Sequence, residues 1–234
     1  MSSTVAAANL TPAQLAPYIQ HTKIEVGSTR QEMIAHVEDA VKYGFSAAMV
    51  SGSWVPLTAS ILKGTEIEVA SALDFPTVGV MTSAGKAAEA AELVRLGATQ
   101  IDIGVQIGWL KSGMYDEFRE DIAGVVRASG VPIKVMLELP LLTAEEKELA
   151  VQLSMEAGVA YLKNASSGQI ETANAASVRY LVERAKGGVL VKASGSIKHL
   201  AQARELIAAG ASLLGTSAGI EIISDTSGAE TKSY

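Results

Sequence analysis

The stretch Glu156-Ala-Gly158-Val-Ala-Tyr-Leu-Lys163 carries the organising pattern of this chain: the end of a helix, a glycine, a short apolar run and a lysine. A second run, Gly188-Val-Leu-Val-Lys192, ends in the same way. An ammonium is costly to bury, and most lysines lie on solvated helix faces. Because burial or a neighbouring ammonium lowers the pKa of a lysine, an amine at the end of a buried strand becomes a nucleophile for carbonyl carbons. The alternative is that each lysine only pairs with a carboxylate.

The unit of helix, glycine and strand recurs along the chain. A glycine directly after a helix accepts the left-handed conformation that ends the helix and turns the chain into a strand. The glycines in this position are Gly44, Gly97, Gly130, Gly158, Gly188 and Gly210. The runs that follow are mostly continuous apolar segments, which is typical of parallel strands covered on both faces.

Eight strands separated by helices predict an α/β fold, a single (β/α)8 TIM barrel. We predict the strands at residues 18–21, 45–50, 66–72, 100–104, 133–137, 160–163, 189–193 and 212–215. A doubly wound open sheet is the competing fold, but its glycine-rich phosphate turn, G-x-G-x-x-G, does not follow the first strand. In a barrel, catalytic groups lie at the carboxyl ends of the strands.

Composition limits the classes of function. The chain has 234 residues, 48% of them hydrophobic, and we predict one domain over residues 1–234, with a short N-terminal helical segment and a flexible tail at about 224–234. It has no cysteine, and its three histidines lack ligand spacing, so we predict no metal and no cofactor. The net charge of −6 without a basic cluster argues against nucleic acid. Without a secretory signal or an apolar run of membrane-spanning length, we expect a soluble, cytoplasmic protein.

Polar groups at the ends of four successive strands point to one kind of chemistry. Asp102 interrupts an apolar run in strand four, Glu138 ends strand five, and Lys163 and Lys192 end the next two. A barrel interior favours branched apolar side chains, so four such groups together favour catalysis over isolated ion pairs. They supply an amine nucleophile, a second cation to lower its pKa, and a carboxylate for proton transfer. These are the requirements of a Schiff-base aldolase that uses no metal.

Two small-residue turns predict a site for an anion. Ala193-Ser-Gly-Ser196 follows strand seven, and Gly215-Thr-Ser-Ala-Gly219 follows strand eight and opens a helix. Backbone N–H groups and a helix N-terminus in this part of a barrel commonly hold a phosphate group.

In several stretches the chain resembles the deoxyribose-phosphate aldolase family, whose members are metal-free class I barrel enzymes. The resemblance runs from about His21 to Ile223, and its most specific motifs are Trp54-Val-Pro-Leu57, Asp74-Phe-Pro76, Gln100-Ile-Asp102, Ile107-Gly-Trp-Leu-Lys-Ser-Gly113, Leu141-Leu-Thr-Ala-Glu-Glu-Lys147, Val191-Lys-Ala-Ser-Gly195 and Gly215-Thr-Ser217. It implies that Lys163 forms the Schiff base, that Lys192 lowers its pKa, and that Asp102 relays protons through water. Our candidate residues for binding the substrate and its phosphate are Ser166, Gly195, Ser196, Gly215 and Ser217.

The chain departs from the family pattern in its substrate pocket. Gln20-His-Thr22 replaces the usual Asp-His-Thr, and Lys163-Asn-Ala-Ser-Ser-Gly168 replaces Lys-Thr-Ser-Thr-Gly. Gly195-Ser196 replaces Gly-Gly, Ser51-Gly-Ser53 replaces Asn-Pro and a small residue, and Leu139-Pro140 replaces Thr-Cys. The reaction type is therefore better determined than the substrate.

The resemblance implies reversible cleavage of 2-deoxyribose 5-phosphate to glyceraldehyde 3-phosphate and acetaldehyde. One alternative is a Schiff-base aldolase for another deoxy-sugar phosphate or aldehyde acceptor, and a second is a non-catalytic phosphosugar-binding barrel. The expected partners are small phosphosugars and aldehydes, with no nucleic acid and no membrane, and the sequence leaves open whether the chain forms a homo-oligomer. Some family members end in a tyrosine on a flexible tail that reaches the active site, and Tyr234 is the candidate here.

Overall fold

In the computed structural model, residues 10–224 are described, and they form a closed barrel of eight parallel strands. The strands follow one another around the barrel in chain order, and β1 pairs with both β2 and β8. Their bounds are β1 Ile19–Lys23, β2 Ala47–Ser51, β3 Glu68–Leu73, β4 Gln100–Gly104, β5 Ile133–Met136, β6 Tyr161–Lys163, β7 Leu190–Ser194 and β8 Leu213–Thr216. The predicted (β/α)8 barrel is confirmed, and the closure between β1 and β8 excludes the open sheet.

Ten α-helices lie in the described part of the chain, and most connect one strand to the next. They are α1 Pro12–Leu15, α2 Arg30–Tyr43, α3 Val55–Leu62, α4 Ser83–Arg95, α5 Ile107–Lys111, α6 Tyr115–Ser129, α7 Ala144–Glu156, α8 Ala175–Arg184, α9 Leu200–Ala208 and α10 Gly219–Ile223. None of these helices is both long enough and apolar enough to cross a membrane.

Local chemistry explains why the helices begin and end where they do. Thr29 and Thr143 each accept a hydrogen bond from a backbone N–H of the helix that follows, and a glutamate of that helix accepts one in return, which is the capping-box arrangement. Gly44 and Gly130 end α2 and α6 with φ angles of 69° and 66°. A side chain at these positions would be strained, so the glycines ensure the turn into the following strand.

The apolar core lies mainly between the strands and the surrounding helices. Inside the barrel, a separate small cluster is formed by Ala47, Met49 and Ala70, with Ala72 packed against it. These side chains come from β2 and β3 only. The interior surface of β4 to β7, by contrast, carries the buried polar groups Gln100, Asp102, Lys134, Lys163, Lys192 and Ser194. One side of the barrel interior is thus apolar and the other is polar.

Candidate active site

Lys163 and Lys192 lie side by side on neighbouring strands. Lys163 is the last residue of β6, and Lys192 is its register partner in β7. Both side chains enter the barrel, where Lys163 is 6% and Lys192 is 1% exposed. β7 continues to Ser194, so Lys192 ends the apolar run but lies inside its strand, as the predicted range 189–193 has it.

Asp102, in the middle of β4, receives both amines on one oxygen. Its Oδ2 atom lies 2.9 Å from Nζ of Lys163 and 2.7 Å from Nζ of Lys192. A third lysine, Lys134 of β5, places its Nζ 3.4 Å from the other oxygen, Oδ1. All four side chains are buried. Three lysines therefore share one carboxylate inside the barrel.

Burial and mutual repulsion control the charges of this cluster. Burial has the largest effect on Lys192 and holds its pKa well below the ordinary value, while Lys163 and Lys134 lower it further and Asp102 opposes them. Burial also lowers the pKa of Lys134, again against the attraction of Asp102. Burial disfavours the charged form of Asp102, but the lysines outweigh it and hold the pKa of Asp102 below its ordinary value. The cluster thus combines a stable carboxylate with an amine that loses its proton easily.

Sequence reasoning missed three residues of this cluster. Lys134 is fully buried and comes two residues before Met136, which lines the barrel mouth. The alternation of side chains along a strand could have placed both on the inner face. Gln20 of β1 accepts a hydrogen bond from Nζ of Lys192 at 2.5 Å and donates one to Gln100 at 2.6 Å. In the sequence, Gln20 is conspicuous only as a departure from the family motif, and Gln100 only as part of one.

Glu138 accepts its hydrogen bond from a loop and not from the lysines. Its Oε1 atom accepts a hydrogen bond from the backbone N–H of Ser166 at 2.8 Å, in the loop after β6. The strand ends before Glu138, whose φ of 49° turns the chain away from the strand direction. Burial raises its pKa, against hydrogen bonds from Ser166. Glu138 therefore supports the loop that carries Ser166, and the expectation of a carboxylate within the catalytic cluster is met by Asp102 alone.

The predicted phosphate residues line the mouth of the barrel together with Lys163 and Lys192; they are Ser166, Gly195, Ser196, Gly215 and Ser217. Among residues 10–224, no acceptor is found for the backbone N–H groups of Gly168, Ser196 and Ser217. Backbone N–H groups without an acceptor, on residues that line one opening, are suited to bind an anion. The helix after β8, α10, has only five residues and begins at Gly219, so the loop N–H groups carry this site and the helix adds little.

Two of these glycines are required by packing as well. A side chain on Gly215 would place its Cβ 3.0 Å from Cε of Lys192, so the glycine leaves room for that lysine. A side chain on Gly195, whose φ is 120°, would lie 2.0 Å from the carbonyl oxygen of Glu171. Ser196 follows with a φ of 48°, a strained value for a residue other than glycine.

A buried ion cluster outside the barrel shapes the apolar side of the mouth. Asp74, with a φ of 54°, accepts hydrogen bonds from the backbone N–H groups of residues 79, 80 and 81. Lys86 of α4 lies 3.4 Å from Asp74 and donates to Asp121 and to the carbonyl oxygen of Gly104. The next residue, Phe75, lines the mouth. The cluster thus fixes the loop that places Phe75 in the mouth.

Two further points concern a metal ion and the tyrosine of the tail. Within the described range, no group of three or more His, Asp or Glu side chains is arranged to hold a metal ion. Tyr234, the candidate proton donor in the tail, lies outside the described residues, so its role stays a prediction.

Comparison with known proteins agrees with this geometry. No family model matches the chain. The chain is 40% identical over 209 residues to a deoxyribose-phosphate aldolase from Thermosynechococcus vestitus, covering 89% of this chain and 95% of that protein. It is 40% identical over 214 residues to one from Methanothermobacter thermautotrophicus, covering 91% and 95%. The tetrameric deoxyribose phosphate aldolase from Aeropyrum pernix superposes with a TM-score of 0.86 at 25% identity, covering 97% of each chain.

The sequence likeness covers nearly the whole length of both curated relatives, and the likeness of structure includes the barrel whose strands carry Asp102, Lys163 and Lys192. A shared fold alone would not determine the function, because barrels host many chemistries. Identity at this level over this length does determine the family: the chain belongs to the deoxyribose-phosphate aldolases.

Proposed function

We propose that this chain is a class I aldolase that reversibly cleaves 2-deoxy-D-ribose 5-phosphate to D-glyceraldehyde 3-phosphate and acetaldehyde, with Lys163 forming the imine. The observation that carries the proposal is that Lys163 and Lys192 donate hydrogen bonds to the same oxygen of Asp102 at the base of an open mouth. A protein that only binds a phosphosugar has no need for this arrangement, because buried charges of this kind are costly to maintain.

Lys163 is the better candidate for the nucleophile because it is the more accessible amine. Its side chain is 7% exposed, whereas that of Lys192 is 1% exposed and donates a hydrogen bond to Gln20. The lowered pKa of Lys192 means that the pair gives up a proton readily. Since both amines contact one oxygen of Asp102, the pair can lose a proton next to that carboxylate and leave an uncharged amine at Lys163 to attack the substrate.

The reaction follows from these positions. The Lys163 amine adds to the aldehyde carbon of the open-chain sugar and gives a carbinolamine, which loses water to form the imine. The imine accepts the electron pair of the breaking carbon–carbon bond, so glyceraldehyde 3-phosphate leaves as the hydroxyl at the cleaved carbon loses its proton. Protonation of the enamine and addition of water release acetaldehyde and the free amine. Asp102 and Lys192 accept and return protons in the steps next to Lys163.

The mouth suits the two ends of this substrate. The free N–H groups of Gly168, Ser196 and Ser217 are suited to the phosphate. Phe75 and Met49 offer apolar contacts near the lysines, where the two-carbon fragment would lie. Ser196 is one observation that favours the alternative of a different acceptor, because its side chain and strained backbone alter the loop that would bind the phosphate.

The proposal is tested by following both products. Purified protein is incubated with 2-deoxyribose 5-phosphate, and acetaldehyde and glyceraldehyde 3-phosphate are each measured with a coupling enzyme. We expect both products in equal amounts, and none from the Lys163→Leu variant, whose folding is checked by circular dichroism. Binding of the sugar phosphate without product would favour the non-catalytic barrel. Turnover of a different acceptor in the synthetic direction, with none for glyceraldehyde 3-phosphate, would favour the alternative aldolase.

A further inference from the structure

The side chain of Gln20 contacts Lys192 and is fully buried. Its Oε1 atom accepts a hydrogen bond from Nζ of Lys192 at 2.5 Å, and its Nε2 atom donates to Oε1 of Gln100 at 2.6 Å. Reversing the amide would turn an N–H group toward a lysine that is itself a donor, so the contact with Lys192 determines its orientation. Gln20 and Asp102 therefore hold Lys192 from two sides.

The space around Lys192 is shaped to allow this contact. Gln20 is the register partner of Ala47 in β2 and of Gly215 in β8. Neither neighbour has a bulky side chain, and a Cβ on Gly215 would come within 3.0 Å of Lys192. The lysine therefore runs past β8 toward β1 and ends on the glutamine.

Because Gln20 is neutral, it adds no negative charge to the cluster around Lys192. The charged groups that face Lys192 are Asp102 from β4, Lys134 from β5 and Lys163 from β6, while β1 contributes the uncharged Gln20 and β8 only Gly215. Two other acids lie nearer to other lysines: the charge of Lys163 acts on Glu138, and that of Glu68 acts on Lys134. With one carboxylate for three amines, the cluster favours loss of a proton.

We propose that Gln20 is a positioning residue for the aldolase reaction: its amide anchors Lys192 against Asp102 and, because it is neutral, leaves the amine pair ready to lose a proton. An acid at this position would anchor Lys192 equally well but would hold the proton on it. The inference rests on the proposed function and adds to it the residue that adjusts the working pH of the site.

The test compares the pH dependence of kcat/KM in the wild-type protein, Gln20→Glu and Gln20→Met. In Gln20→Glu, neighbouring lysines keep the new carboxylate ionised, and we expect the rising limb of the profile to move up by about one pH unit or more. Below that limb kcat/KM falls about tenfold or more, and it recovers at higher pH. In Gln20→Met the rising limb of the profile does not move up. However, kcat falls at every pH because Lys192 loses its hydrogen bond to Gln20.

Two controls separate charge from structure. Gln152→Glu makes the same chemical change on the exposed face of α7, and its profile should match that of the wild type. Gln20→Asp introduces the acid that the family usually carries and replaces Gln20→Glu if that variant does not fold.

An unchanged rising limb in folded Gln20→Glu or Gln20→Asp, with an active wild type, would overturn the inference and leave the proposed function intact. A uniform loss of kcat/KM in the acid variants at every pH would also overturn it, since that result indicates a structural role only. A wild-type protein that shows no turnover and forms no reducible imine with acetaldehyde would overturn the proposed function itself.

Discussion

Lys163 and Lys192 are register partners on β6 and β7, and their Nζ atoms meet at a single carboxylate oxygen. Register partners on neighbouring parallel strands point to the same face of the sheet, so both amines enter the barrel interior side by side and can reach one carboxylate. This register would bring together any two residues at these positions. The shared contact with Asp102 therefore requires both the alignment of the strands and a lysine at each position. The relation predicts that the two amines titrate as a coupled pair.

Replacing Lys192 tests this coupling. In Lys192→Met the cluster loses one of its three amines while Asp102 stays, so the amines that remain hold a proton to higher pH. We expect the rising limb of the kcat/KM profile to move up by about one pH unit, with tenfold lower activity below it. The measurement is a profile of initial rates between acid and alkaline pH. Lys63→Met, which removes an exposed lysine, is the control, and a Lys192→Met profile that coincides with it would contradict the coupling.

The phosphate loop gives a second prediction. Ser196→Gly removes a side chain from a residue with a φ of 48° and lets the backbone approach the phosphate more closely. A hydrogen bond to a charged group contributes about 1.5–3 kcal/mol, so KM for 2-deoxyribose 5-phosphate should fall roughly tenfold. KM for unphosphorylated 2-deoxyribose should not change, which makes that sugar the control. An unchanged or higher KM for the phosphorylated sugar would indicate that the serine hydroxyl already supplies the bond.

Two buried histidines, one in β1 and one in α2, predict how stability depends on pH. His21 and His36 stack with their ring centroids 4.3 Å apart, and burial lowers the pKa of His21 to about 4 and the pKa of His36 to about 3. The unfolded chain takes up protons below its histidine pKa of about 6.5, whereas the folded chain stays neutral there. The contribution of the two neutral histidines to stability is therefore fully present above pH 6.5. It is lost progressively as the pH falls toward their pKa values in the folded chain.

Urea unfolding at pH 7 and pH 5 measures this effect. Each additional proton bound by the unfolded chain costs about 1.4 kcal/mol per pH unit, so we expect a loss of about 3–4 kcal/mol for the two histidines together. His36→Phe should show about half of that loss, and His199→Gln, at an exposed position, should show all of it. Equal losses in the wild type and His36→Phe would assign the pH dependence to other groups.

Tyr234 supplies a prediction about the tail. A phenol that reaches the mouth could transfer a proton to the enamine carbon. Tyr234→Phe should then lower kcat and slow the exchange of protons at the donor carbon of acetaldehyde in deuterated water, without affecting imine trapping. If a protein that ends at Ser227 keeps the full rates of turnover and exchange, the tail has no role in the mechanism.

The repeated unit of helix, glycine and strand was sufficient to predict the barrel. The bounds of β4, Gln100–Gly104, agree with the prediction, and β8 begins and ends one residue later than predicted. The glycines mark the turns because their left-handed conformation is a local requirement that can be read from a short stretch. The strand ends were less accurate because the last hydrogen bonds of a strand depend on its neighbours.

The cluster around Asp102 could be predicted only in part. Alternation along β5 places Lys134 on the inner face, but does not show that its amine reaches an aspartate on β4. Gln20 lies far from Lys192 in sequence, and their contact depends on the closure of the barrel between β1 and β8. The prediction that Glu138 belongs to the cluster was wrong, because its positive φ changes the direction of the chain where the strand ends. Local patterns determine which face a side chain occupies, whereas barrel geometry determines what it meets.

The most direct test of the account is to identify the lysine that forms the imine. The wild-type protein is incubated with acetaldehyde, reduced with borohydride, digested and analysed by peptide mass spectrometry, with Lys163→Leu treated in parallel. The account predicts one ethyl group on Lys163 in the wild type and no label at the active site in the variant. A label on Lys192 or Lys134 in the wild-type protein, or turnover without any reducible adduct, would contradict it.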